Sequence, residues 1–109
     1  MNWLHLVSYF FGGAIAANAV PHFVSGMMGR AFQSPFATPP GKGLSSSTVN
    51  VLWGFFNAGI AYLLVVHVGE FLLRSWLHVL AFGLGVLLIG IFSARHFGQF
   101  HGGNTSTRA

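Results

Sequence analysis

Two stretches of this sequence, Trp3 to Val20 and Val49 to Val66, run their whole length without one charged side chain. A helix of either length reaches about 27 Å at ~1.5 Å per residue, close to the ~30 Å hydrocarbon core of a bilayer. A third run, Phe71 to Ala94, has only Arg74 and His78 among its ionisable groups, and its centre from Val79 to Phe92 is apolar apart from glycine. Charged residues make up 6% of the 109, whereas a water-facing surface normally has roughly a quarter or more of its positions charged. A soluble globular monomer is excluded. Lipid must solvate most of an exterior this rich in Phe and aliphatic residues.

The expected fold is all-α and integral to a membrane. It is one domain over residues 1–101, with transmembrane helices at about 3–20, 49–67 and 71–94. Ser47 or Thr48 is placed to cap the second helix. The connection from Pro21 to Thr48 is too long for a tight turn. Within it Phe23, Val24, Met27, Met28, Ala31 and Phe32 form an apolar stripe, which predicts a short interfacial helix at about 21–33 with Pro21 in its first turn. The competing expectation carries the first span through Pro21 to about Met28. Residues 34–46 read as an ordered loop stiffened by Pro39 and Pro40, and residues 102–109 as a disordered tail.

Five Lys and Arg against one acid, Glu70, give a net charge of +4, yet no two cations are adjacent and no basic patch exists. Nucleic acid is therefore not an expected partner. The absence of Cys removes disulfides, thiolate metal sites and thiol catalysis together. Gly41-Lys42 lacks the spacing of a phosphate loop, since Phe36 and Gly43 stand where that motif needs Gly and Ser or Thr. With one Glu, no Asp and no nucleophile elbow, enzymatic chemistry is not expected.

Orientation follows from the cations. Three spans put Arg30, Lys42, Arg95 and Arg108 on one side and Glu70 and Arg74 on the other. The four-cation side is cytoplasmic by the positive-inside tendency, so the N-terminus faces outward and the C-terminus inward. Ala17-Asn18-Ala19 fits a signal-peptide cleavage pattern, but no Lys or Arg precedes the first run, and cleavage would place all four cations outside.

The strings Pro21-His22-Phe23, Pro35-Phe36-Ala37-Thr38-Pro39-Pro40-Gly41-Lys42-Gly43-Leu44-Ser45 and Asn50-Val51-Leu52-Trp53-Gly54 cover about the middle third of the chain. This block resembles the recurring core of small, uncharacterised bacterial membrane proteins. The resemblance implies three helices in an inner membrane and no activity.

Small residues recur at helix-packing spacing: Gly12 with Ala16, Gly13 with Ala17, Gly54 with Ala58, Ala81 with Gly85, and Gly90 with Ala94. Such pairs let backbones approach closely, within one chain or between copies. The first of these stripes is broad enough to meet more than one neighbour. Asn57, in the middle of the second span, is either interhelical glue or part of a polar path. If the third helix begins by Glu70, then Glu70, Arg74 and His78 form one i,i+4 ladder descending about 12 Å, with His67 beside it. These five residues are the functional candidates, and His78 ranks first because it sits too deep to reach the headgroups. Its expected partner is on another helix, with His67 or His5 nearest.

On a continuous helix His78 and His96 lie on one face about five turns apart, and His5 and His22 stand in nearly the same relation. With the first and third spans parallel, His5 and His78 share one leaflet and His22 and His96 the other. No cofactor is expected from this arrangement, but two storeys of paired imidazoles also describe axial ligation of two b-type haems. The leading expectation is a non-enzymatic inner-membrane protein acting as an oligomerising accessory or small transport unit, alone or in a larger membrane complex. The alternative is a haem-bearing electron carrier.

Overall fold

Asn2 caps the first helix by accepting from Leu4 N–H at 2.9 Å, and α1 then runs from Trp3 to Met27 without interruption at Pro21. The computed structural model describes residues 2–105. The expected separate interfacial helix at 21–33 does not exist; its first half is the last part of α1. Proline removes one donor, but the turns after it are seated by tertiary contact. A Cβ on Gly54 would come within 2.7 Å of the Phe23 backbone, and one on Gly26 within 2.5 Å of the Ser47 carbonyl, so the second helix lies against this half of α1. Gly29, in a left-handed conformation at φ +75°, ends the run.

The connection that follows is ordered, as the prolines and glycines suggest, and contains a two-residue antiparallel pairing. Strand β1, Phe32–Gln33, pairs with β2, Leu44–Ser45, in the register Phe32 with Ser45 and Gln33 with Leu44. Gly41 N–H donates to Ser34 C=O at 2.8 Å and closes the loop between them. Helix α2 spans Ser47–Tyr62, and its cap is Ser46 rather than Ser47 or Thr48; the Ser46 hydroxyl accepts from Val49 N–H at 3.2 Å. A π-helical turn, Leu63–His67, extends it. Ser8 of α1 donates to the Leu64 carbonyl in that turn at 2.6 Å, supplying a partner where the helical ladder changes step.

Residues 68–75 are not helical. Helix α3 begins at Trp76, capped by Ser75, and continues to His101, so the third span starts later and ends later than the apolar run alone indicates. The tail departs from its expected disorder at its start: Gly102 turns at φ +80°, and Asn104 folds back to donate to Arg95 C=O at 2.9 Å. Residues 106–109, the rest of that tail, lie outside the described residues.

All three helices are long and apolar enough to cross a membrane. Helix α1 packs along both α2 and α3, which scarcely touch each other. The arrangement inverts that of a water-soluble bundle. Its buried side chains include Ser8, His22, Gln33, Ser34, Asn50, Asn57 and His78, while Leu73, Trp76, Phe55 and Phe92 stand outside. That inversion suits lipid as solvent, where polar groups must find partners within the protein.

Candidate functional site

The small residues are the seams on which the sites are built. A Cβ on Gly12 would strike Val65, and one on Gly13 would overlap the Phe82 carbonyl, so the α1 stripe meets both neighbours within one chain. Gly85 is the reciprocal seat, where a Cβ would overlap the Phe10 carbonyl of α1. Ala16 and Ala58 line an apolar groove of about 340 Å³ between α1 and α2. Ala17 and Ala81 are half-buried on α1 and α3.

Close packing at Gly13 and Gly85 brings the start of α3 against the start of α1. His5, Tyr9, Glu70, Leu72, Ser75 and His78 there line a cavity of about 400 Å³. His78 lies in the first turn of α3, 3% exposed, and not two turns deep. Its Nδ1 accepts from Leu72 N–H at 2.9 Å, so its nearest partner is the preceding connection and not another helix. The Tyr9 ring packs on His78 at 4.9 Å between centroids and on Phe71 at 5.1 Å, edge-on. Both the Tyr9 hydroxyl and His78 Nε2 are buried without a partner among the described residues.

The ladder of Glu70, Arg74 and His78 does not form, because the helix needed to align them starts only at Trp76. Glu70 remains on the cavity wall, and Arg74 is exposed on the same connection. His67 ends the π-helical turn and meets the Tyr62 hydroxyl at 3.3 Å. Asn57 accepts from the Asn18 amide at 3.2 Å and donates to Trp53 C=O at 2.8 Å, tying α1 to α2.

At the loop end the organising residue is Asn50, fully buried. Its amide nitrogen reaches the carbonyls of Phe32, Ser45 and Ser46 at 3.0 to 3.2 Å, which leaves its oxygen for His22 Nδ1 at 2.8 Å. His22 therefore carries its proton on Nδ1 and an unshared pair on Nε2. His96 donates from Nε2 to the Gly41 carbonyl at 2.7 Å, and His101 Nε2 meets Gln33 Oε1 at 2.9 Å, so α3 also holds the loop. A cavity of about 360 Å³ lies among Asn18, His22, Trp53, His96 and Phe97.

The four histidines weighed as haem ligands do fall into two pairs by level. Each pair has an aromatic ring against both members: Tyr9 against His5 and His78, and Phe97 against His22 and His96. In the tautomers that these hydrogen bonds require, His78 and His96 carry hydrogen on Nε2 and have no lone pair there for iron. Among the described residues no group of three His, Asp or Glu gathers for a metal.

Tyr9, Asn50 and Trp53 are site residues that the run-by-run reading misses. For Asn50 a signal was present: Asn50, Gly54, Asn57 and Ala61, at spacings of four, three and four, are the buried face of α2. Comparison of the chain with protein-family models, curated proteins and solved structures gives no match.

Proposed function

We propose that the protein is a multi-pass component of a bacterial inner membrane, with its N-terminus outside and its C-terminus in the cytoplasm. It acts as a non-enzymatic unit, accessory or transporting, that associates with copies of itself or with a larger complex. The observation that carries the association is on α3. Gly83, Leu87, Gly90 and Ala94, at spacings of four, three and four, are all exposed, and a Cβ on either glycine would meet nothing within 4 Å. At Gly13, Gly54 and Gly85 a neighbouring helix fills the space; here the seat is open, and a second helix can approach it closely. The loop end carries Arg30, Lys42 and Arg95 and the opposite end Glu70 and Arg74, which supports the orientation. Arg108, counted with the first group, lies outside the described residues.

Topology is tested with reporter fusions at both ends; a C-terminal fusion active only in the periplasm reverses the orientation. Association is tested through the absence of native Cys, which makes a single Leu87→Cys substitution a clean crosslinking probe. Oxidation should trap a dimer or a mixed product, and Gly90→Leu added to it should abolish the product. A monomer of unchanged mass under both conditions removes the assembly reading.

A further inference from the structure

Two buried polar atoms without partners among the described residues, the Tyr9 hydroxyl and His78 Nε2, belong to side chains that wall one cavity. Because His78 Nδ1 accepts from Leu72 N–H, the ring proton is on Nε2, and that nitrogen is a donor. The Tyr9 hydroxyl is a second donor, on a ring whose centroid lies 4.9 Å from that of His78, and both side chains wall the same cavity. Donors left unmet in apolar surroundings are costly, and one oxygen with two lone pairs satisfies both.

The walls restrict what carries that oxygen. Glu70 lines the cavity, and its charge opposes a phosphate or carboxylate at close range. The Tyr9 and His78 rings on the wall favour a flat, uncharged molecule. Trp3 and Trp76, both exposed, begin the two helices that hold the cavity and mark headgroup depth, so the ligand arrives from the bilayer.

We propose that this cavity binds the head group of a lipid-soluble quinone, one ring carbonyl accepting from both Tyr9 O–H and His78 Nε2–H. Glu70 accepts from the hydroxyl of the reduced form. Gly69 closes over the site, since a Cβ there would come within 2.6 Å of the Tyr9 hydroxyl and 2.7 Å of His5 Nδ1.

The full chain in detergent is titrated with a decyl-substituted benzoquinone, followed by quenching of tryptophan fluorescence. Binding should saturate, and Tyr9→Phe and His78→Phe should each weaken it about tenfold, the loss of one hydrogen bond. Tyr9→Phe deletes only the unpartnered oxygen, so unchanged thermal unfolding verifies its fold and keeps the test valid if His78→Phe misfolds. Equal affinity in a folded Tyr9→Phe protein, absence of saturation, or displacement by decylbenzene overturns the assignment. Displacement by excess phosphatidylethanolamine, dependent on Tyr9, also overturns it and gives the site to a lipid ester carbonyl. Binding in micelles does not depend on which way the helices cross the bilayer, so a failed titration and a failed topology assay are separate results.

Discussion

His22 on α1 and Asn50 on α2 meet at 2.8 Å, and the same Asn50 amide grips the carbonyls of both short strands. One side chain thus locks a helix pair to the loop that connects it. Asn50→Leu keeps the size of the residue and strips these bonds, leaving His22 Nδ1–H without its acceptor. It should cost about 2 to 4 kcal/mol, read by thermal or denaturant unfolding in detergent. An unchanged midpoint would mean that the loop is held without Asn50.

The histidines should differ in tautomer. Imidazole ¹⁵N shifts are expected to show hydrogen on Nδ1 in His22 and on Nε2 in His78 and His96, because their partners are an amide oxygen, a backbone N–H and a carbonyl. A common tautomer across the three contradicts the hydrogen bonds described.

Glycines on α3 should respond with opposite signs. Gly85→Ala pushes a methyl into the α1 backbone and should destabilise by roughly 1 to 3 kcal/mol, whereas Gly90→Ala meets open space within the single chain and, in protein dispersed as monomer in detergent, should gain up to ~1 kcal/mol of helix propensity. Unfolding midpoints of the two variants decide the matter; equal shifts would mean that α3 does not seat on α1 at Gly85.

Gly41 has φ +74° and offers its carbonyl to His96. Gly41→Ala should cost about 1 to 2 kcal/mol through its left-handed backbone, and limited proteolysis should then cut the loop over residues 34–46 faster. A cleavage rate equal to the unsubstituted protein would show that the turn tolerates a side chain.

The number and class of the helices are legible because an uncharged run long enough to cross a bilayer has few other uses. The ends are less so, for different physical reasons. Pro21 is a local breaker, yet Gly26 and Gly54 bring α1 and α2 into contact beyond it, and that contact keeps the helix going. Ser75 is an N-cap residue in plain sight, but the apolar run starts at Phe71 and draws the boundary earlier, which is what created the ladder of Glu70, Arg74 and His78. Tyr9 could not be singled out, since its meaning comes from the fold of residues 68–75 over it. His78 was visible as a lone imidazole in an apolar run, and its burial, though not its partner, follows from that.

Because α2 and α3 each rest on α1 and scarcely on each other, neither has to wait for the other. A chain leaves the ribosome N-terminal end first at about 5 to 20 residues per second, so α1, the loop clamped by Asn50 and α2 can settle before α3 is complete. For about a few seconds the Gly13 seam of α1 stands bare. In that interval the seam is open to α3 of a neighbouring nascent copy, which carries the same Phe82 carbonyl for Gly13 and the same Gly85 for the Phe10 carbonyl. Exchange of whole helices between copies is thus a route to pairing that this layout leaves open during synthesis and closes once α3 has docked.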